Sequence, residues 1–258
     1  MARTIERAAG EARTTKCSSE EWDVRVQLAA CYRLVDHYGW TDLVYTHISA
    51  RVPGPEEHFL LNPLGHMFGE VTASSLVKID RDGNNVDASP HTVNRAGFVI
   101  HSAVHGARPD AQCVIHLHTA AGMAVSMLEC GLLPLSQHAQ LLYGRVAYHD
   151  YEGLALDLDE RKRLVADLGD RPVMLLRNHG TLVAGRSVPH AFSLMFHLEK
   201  ACQAQLAAMA TGQKLTVPPP AVSARTTQQA FAEDSPIGRA EWPGLMRLLD
   251  RIDPSYRT

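Results

Sequence analysis

The sequence lacks a long apolar run, a strong net charge and closely spaced cysteines. No apolar stretch reaches the roughly 20 residues of a membrane-spanning helix, and the first 15 residues contain no apolar segment of a secretory signal. The net charge of −3 argues against a nucleic-acid partner, which usually requires a basic face. The five cysteines are an odd number and suit reduced thiols. We therefore expect a cytoplasmic protein with no membrane or nucleic-acid partner.

The sequence does contain enough hydrophobic residues to form a core, and it contains many histidines. Its 258 residues are 45% hydrophobic, which predicts one or two folded domains. Bulk disorder is excluded because it requires low hydrophobicity and high net charge. The 14 histidines are not scattered at random, so they are the first candidates for a functional site.

Helical and strand patterns alternate along the chain. Ser18 and Glu21 predict a capping box at the start of a first helix that ends at Gly39. Pro53-Gly54-Pro55 and Asp82-Gly83 predict hairpin turns. Such a pattern favours a mixed sheet covered by helices on both faces. The predicted segments are a flexible leader, one α/β domain and a C-terminal tail with a short helix, at residues 1–16, 17–215 and 216–258.

Two short motifs place histidines at the ends of predicted strands. His116 and His118 end the strand CVIHLHT, and residues two apart in a strand project from the same face. His179 follows the apolar strand VMLLRNHG, where Gly180 would allow a sharp turn. Either motif alone often has a structural role, but together at strand ends they favour an open three-histidine metal site.

Other histidines could serve either the site or the packing of the fold. His101 and His105 lie one helical turn apart, a spacing that can bind metal. We favour the alternative that they form one packed helix face near the site. His149, with Tyr148 and Tyr151, is expected to line or support the pocket.

Several motifs in the same order resemble those of the class II aldolase/adducin family. The resemblance covers about residues 20–212 and is nearer to the adducin-head branch. The motifs are YTHIS at 45–49, LLNPLG at 60–65, NRAGF at 94–98, ARPD at 107–110, HLHT at 116–119, AYHDY at 147–151 and RNHG at 177–180.

The resemblance implies a fold, an assembly and a cofactor. The fold would be a three-layer α/β/α sandwich with a central mixed, largely antiparallel sheet. The assembly would be a homotetramer with active sites between subunits. The cofactor would be a divalent metal on His116, His118 and His179, with zinc first and iron or manganese as alternatives. In the aldolases of the family this metal acts as a Lewis acid.

The sequence departs from the aldolases at the acid–base groups. They carry a Ser-Ser-Glu run where this sequence has Arg95-Ala96-Gly97, so Gly97 leaves the usual general base without a side chain. The tyrosine that acts as an acid from a neighbouring subunit is matched, within about one residue, by His138. An imidazole can donate a proton near pH 7, which makes His138 the catalytic candidate; a plain surface histidine is the alternative.

The phosphate cradle has changed as well. Thr46 and His47 stand where the aldolases have a Gly-Asn pair, whereas Asn62 and Gly65 keep the loop that holds an anion. Arg95 can pair with a carboxylate through two hydrogen bonds, or it can be a solvated helix-start residue. These five residues are the substrate-binding candidates for a small anionic molecule.

Three functions remain open at the level of sequence. The first is a metal-dependent lyase acting on a small carboxylated or hydroxy-carbonyl substrate, by decarboxylation or non-standard aldol cleavage. The second is a non-catalytic oligomerisation module like the adducin head, which also has glycine in place of the glutamate. The third is a three-histidine iron-dependent oxygenase.

Overall fold

A single seven-stranded sheet with strand order β3-β2-β1-β4-β7-β6-β5 forms the centre of the computed structural model. The structure describes residues 17–153, 159–232 and 235–258, except the side chains of 95–97; the predicted leader, residues 1–16, lies outside them. Only β5 and β6 are parallel, and every other neighbouring pair is antiparallel. The strands are β1 His47–Arg51, β2 Phe59–Leu61, β3 Val77–Ile79, β4 Cys113–Leu117, β5 Val146–His149, β6 Val173–Leu176 and β7 Gly180–Gly185.

Eight α-helices are described around this sheet. They are α1 Ser19–His37, α2 Arg95–Ala107, α3 Ala120–Ser126, α4 Gln137–Leu141, α5 Glu160–Leu168, α6 Val188–Ala210, α7 Pro220–Ala230 and α8 Trp242–Ile252. Within the described parts of the chain, no helix combines the length and the hydropathy needed to cross a membrane.

Helices cover both faces of the sheet because its strands are apolar on both faces. Ile48 and Ile115 lie in one core cluster with residues of α1 and α6. Val114 and Leu182 project from the other face and pack with residues of α2 and α5. Burying one such side chain contributes about 1.5–3 kcal/mol. The three-layer α/β/α sandwich with a mixed, largely antiparallel sheet is thus confirmed.

The first helix begins as predicted, with one difference. The Ser18 hydroxyl accepts a hydrogen bond from the Glu21 amide at 3.2 Å, and Gly39 follows the last turn with φ 68°. The expected return bond from the Glu21 side chain is absent from the described contacts. Its carboxylate instead accepts from Arg25 Nε at 2.9 Å and Lys78 Nζ at 2.8 Å, because a buried arginine requires a counter-charge.

The C-terminal segment contains two helices, α7 and α8, where the sequence indicated one. Trp242, Leu249 and Tyr256 belong to the same core cluster as α1. The carbonyl oxygens of Tyr256 and Thr258 accept from the amides at 73 and 74. The segment therefore packs on the domain, and a boundary at residue 215 stays a prediction.

Candidate metal centre

Three histidines meet at one edge of the sheet because β4 and β7 are neighbours. His116 and His118 project from the end of β4, and His179 lies in the turn between β6 and β7. Their ring centroids are 4.7–4.9 Å apart, and one ligand atom from each lies within 4.8 Å of the others. The predicted cluster therefore exists, as a group of imidazoles that could hold an ion.

The turn that presents His179 works differently from the sequence prediction. The left-handed conformation falls on Asn178, with φ 58°, and asparagine tolerates it well. Gly180 is needed for space, since a Cβ there would lie 2.5 Å from the Leu117 carbonyl oxygen and 3.0 Å from His118 Cδ2. The glycine thus allows the close approach of two strands beside the site.

Hydrogen bonds on the far side of two rings determine which nitrogen faces the centre. His116 Nδ1 lies 3.0 Å from the Thr181 carbonyl oxygen, and His118 Nδ1 lies 2.9 Å from a carboxylate oxygen of Asp42. Both oxygens are acceptors, so each Nδ1 carries a proton and each Nε2 faces the centre, where the neutral form of a ring presents a lone pair. The two Nε2 atoms lie 3.0 Å apart.

Two facing lone pairs repel each other, and a cation or a shared proton relieves that repulsion. Backbone carbonyls and carboxylates behind the rings are the usual supports of metal-binding histidines. Nitrogen donors of this kind suit zinc, iron and other first-row metals. The donor set therefore fits a divalent metal with at least one coordination position left open.

Burial keeps the rings in the form that binds metal. Desolvation, together with the neighbouring histidines, lowers the pKa of His179 to about 4 and that of His116 well below its ordinary value. Neutral imidazole is the metal-binding form. At pH 7 these two rings need not lose a proton to accept an ion.

His47 and Thr46 lie beside this cluster. His47 pairs with His116 across β1 and β4, and burial, followed by the neighbouring His118, lowers the pKa of His47 to about 4. Neither ring nitrogen of His47, nor the Thr46 hydroxyl, has a hydrogen-bond partner among the described residues. Thr46 also has φ 66°, an unusual value for a branched side chain. Both residues have polar atoms available for a ligand.

The remaining anion-binding candidates, Asn62, Gly65 and Arg95, have no described side-chain contact with the three histidines. The Asn62 side chain accepts from the Tyr32 hydroxyl at 2.9 Å, which anchors the loop. Gly65 takes φ 87° in that loop. Helix α2 begins at Arg95 and includes Gly97, but the side chain of Arg95 lies outside the described residues. Substrate binding by Arg95 stays a prediction.

His138 lies on α4, and its ring is 5.4 Å from that of His197 of α6. The described contacts therefore place it against a helix of its own chain. Its predicted catalytic role depends on a neighbouring subunit and stays a prediction.

A recess opens beside His179, where the sequence placed a supporting role for His149 and Tyr151. Both residues line it, together with Arg177. Arg177 lies over the Tyr148 ring at 4.5 Å and donates to the Leu128 carbonyl oxygen at 2.5 Å. Tyr148 thus supports Arg177, a lining cation that the sequence analysis did not single out, although RNHG contains it.

Sequence reasoning also missed Asp42 and Thr181, which lie within hydrogen-bonding distance of two of the three clustered histidines. Asp42 is 76 positions from His118, so no local spacing could have connected them. Thr181 acts through its main-chain carbonyl, for which the sequence carries no signal.

Comparison with known proteins agrees with this geometry. The family model described as Class II Aldolase and Adducin N-terminal domain matches residues 26–206. The crystal structure of an aldolase II superfamily protein from Pseudomonas syringae is 54% identical and superposes with a TM-score of 0.91, covering 94% of this chain and 98% of that one. An L-fuculose 1-phosphate aldolase from Glaciozyma antarctica is 29% identical with a TM-score of 0.83, covering 93% of both chains.

An adducin is similar to this chain as well. Alpha-adducin of Rattus norvegicus is 43% identical over 250 residues, which is 91% of this chain but 34% of that protein. The chain thus spans about a third of that relative. With its fold, its three histidines and its matched residues together, the chain belongs to the class II aldolase and adducin N-terminal domain family.

Proposed function

We propose that the protein is a metal-dependent carbon–carbon lyase acting on a small anionic substrate that is carboxylated or a hydroxy-carbonyl compound. The observation that supports this most is the meeting of His116, His118 and His179, with the Nδ1 atoms of the first two held by an amide carbonyl and a carboxylate. Zinc is the first choice of metal, with iron or manganese as alternatives.

The residues around the metal favour decarboxylation or a non-standard aldol cleavage. The bound metal would supply an electron sink for the breaking carbon–carbon bond. Gly97 has no side chain to remove a proton, and loss of CO₂ requires no base to begin. Arg95 would hold the carboxylate, with Thr46, His47 and the loop of Asn62 and Gly65 around the substrate.

His138 would return the proton after bond cleavage. It would do so from a neighbouring subunit of a homotetramer, as the family resemblance implies. The recess beside His179 contains one cation, Arg177, among the carboxyl groups of Asp150, Glu152 and Glu160. An anionic substrate would therefore depend on the metal and on Arg95 for its charge partners.

A non-catalytic, adducin-like assembly role is the second candidate. The specific observation that favours it is the 43% identity with rat alpha-adducin, which exceeds the 29% identity with the L-fuculose 1-phosphate aldolase. A module of that kind has no need for a stoichiometric metal ion, so metal content separates the two roles.

The test is metal analysis of protein purified without a chelator or a histidine tag. We expect about one equivalent of a transition metal per chain, absent from the His116→Ala/His118→Ala variant. The control variant, His37→Ala/His58→Ala, removes two histidines outside the centre and should keep the ion. Zinc or manganese would direct the assay to decarboxylation and aldol cleavage, and iron to oxygen uptake. Protein that holds no metal after metal is offered would overturn the lyase and leave the assembly role.

A further inference from the structure

A row of buried polar side chains lies between α2 and the sheet, next to the metal histidines. The Ser49 hydroxyl oxygen of β1 lies 2.6 Å from His101 Nδ1 and 2.7 Å from His105 Nε2. His105 Nδ1 lies 2.8 Å from the Ala111 carbonyl oxygen. Ser49, His101 and His105 are at most 1% exposed. The packed helix face predicted for the two histidines is confirmed, and it is a continuous hydrogen-bonded chain.

The positions of the protons in this hydrogen-bonded series follow from the Ala111 carbonyl oxygen at its end. A carbonyl oxygen only accepts, so His105 Nδ1 donates to Ala111. Burial lowers the pKa of His105 to about 3, so the ring is neutral and its Nε2 accepts from the Ser49 hydroxyl. The single Ser49 proton is then used, and its oxygen accepts from His101 Nδ1.

His101, at the other end of this hydrogen-bonded series, therefore presents an acceptor that no described residue satisfies. His101 Nε2 carries a lone pair, and it has no hydrogen-bond partner within the described ranges. Buried polar atoms without a partner are rare in native proteins and call for an explanation. The His47 ring, whose two nitrogens are also without partners, packs edge-on against His101 with centroids 6.0 Å apart.

We propose that His101 is a specificity-determining residue, which accepts a hydrogen bond from a hydroxyl group of the molecule bound at the metal centre. The choice of ligand rests on the proposed function, whereas the arrangement of protons does not. Ser49 and His105 are positioning residues, since they act on the ligand only through His101.

The hydrogen-bonding groups of His47 and His101 together favour a hydroxyl group as the ligand. Neutral His47 carries one N–H and one lone pair. A hydroxyl between the rings can donate to His101 Nε2 and accept from His47, whereas a carbonyl or a methyl group would leave His101 unpaired. Burial, then the neighbouring histidines, lowers the pKa of His101 well below its ordinary value, so it stays an acceptor at pH 7.

Neutron diffraction of the zinc-loaded protein tests the proton arrangement. We expect deuterium on Nδ1 of His105, on the Ser49 oxygen and on Nδ1 of His101, with none on Nε2 of His101. In Ser49→Ala, His101 should move its proton to Nε2 while His105 stays unchanged, and Ser49→Thr should restore the original pattern. Deuterium on His101 Nε2 in the unsubstituted protein would overturn the proposal.

Binding of glycolate and acetate to the zinc-loaded protein tests the selection of a hydroxyl. Loss of one buried hydrogen bond corresponds to about a tenfold change in affinity. The ratio of glycolate to acetate affinity should therefore fall about tenfold in His101→Leu, because chelation of zinc by glycolate is common to both proteins. An unchanged ratio, or no binding of glycolate to the unsubstituted protein, would overturn the specificity role. Lyase activity is measured separately, so its absence would not affect either result.

Discussion

Two buried polar regions of this protein contrast in how completely their atoms are paired. Around Arg25, which is fully buried, all three guanidinium nitrogens donate: Nε and Nη2 to the carboxylates of Glu21 and Asp87, and Nη1 to the Leu76 carbonyl oxygen. Around His47 and the neighbouring histidines, several nitrogens have no partner in the described structure.

The difference indicates which region stabilises the fold and which one binds. The Arg25 guanidinium connects α1 to Leu76 and Asp87, on either side of β3, and none of its nitrogens is left for a ligand; among the described partners of Arg25, one oxygen of Asp87 lacks a hydrogen bond. Unpaired buried nitrogens reduce stability, since each costs about 1–3 kcal/mol. Natural proteins retain such groups mainly where a ligand, an ion or a water uses them.

The largest expected effect comes from breaking the paired region. Arg25→Ala should lower the free energy of unfolding by about 3–5 kcal/mol, because it breaks a buried ion pair: the Glu21 carboxylate keeps only Lys78, and the Leu76 carbonyl oxygen and Asp87 lose their donor. Chemical denaturation measures this change, and metal content should stay at one equivalent. Arg257→Ala, which removes an exposed pair with Asp250, is the matched control and should cost about 0–1 kcal/mol. Equal losses in the two variants would contradict the account.

The histidine region should respond in metal affinity rather than in stability. Asp42→Asn removes the negative charge behind His118 and should weaken zinc binding about 10–100-fold. Competition with a chromophoric chelator measures the affinity. Asp23→Asn, at an exposed position of α1, should leave it unchanged, and an unchanged affinity in Asp42→Asn would show that the carboxylate does not support the ligand.

The pH dependence of stability separates the regions further. Burial lowers the pKa of His105 from its ordinary value of 6.5 to about 3 in the folded protein, so below pH 6.5 the unfolded chain binds a proton that the folded protein lacks. As the pH falls below 6.5, His105 alone should therefore lower the free energy of unfolding by about 1.4 kcal/mol per pH unit, or about 2 kcal/mol by pH 5. Its partners lower the pKa of Glu21 from 4.5, so its contribution is lost only at more acidic pH.

Denaturation of the metal-free protein and of His105→Gln between pH 7 and pH 5 tests this expectation. The free energy of unfolding should fall less steeply with decreasing pH in the variant, by about 1.4 kcal/mol per pH unit, which corresponds to one proton. Parallel curves would show that the pKa of His105 is the same in the folded and unfolded chains, which contradicts the expectation.

Much of the fold could be predicted because its signals are local. The turn predicted at Pro53-Gly54-Pro55 connects β1 to β2, and the first helix begins at its predicted cap. The hairpin predicted around Asp82-Gly83 is reduced to one bridge, between Ile79 and Asn85. Helices α4 and α7 were missed. The first has five residues, and the second follows a proline run and takes its position from contacts with α4.

The site was predictable only where its residues share a short motif. HLHT and RNHG identify the three histidines, whereas Asp42, Ser49 and Thr181 become partners of histidines only through the pairing of distant strands and helices. The lone pair of His101 could not be predicted at all, because it depends on a carbonyl oxygen at the end of a hydrogen-bonded chain.

The most direct test of the account is a crystal structure of zinc-loaded protein with anomalous data at the zinc edge. We predict one anomalous peak per chain, about 2.0–2.1 Å from Nε2 of His116, of His118 and of His179, while the pairs around Arg25 stay unchanged. His116 and His118 joined by a shared proton, with no metal bound although the protein was exposed to excess zinc, would contradict the assignment of this histidine cluster as a metal centre.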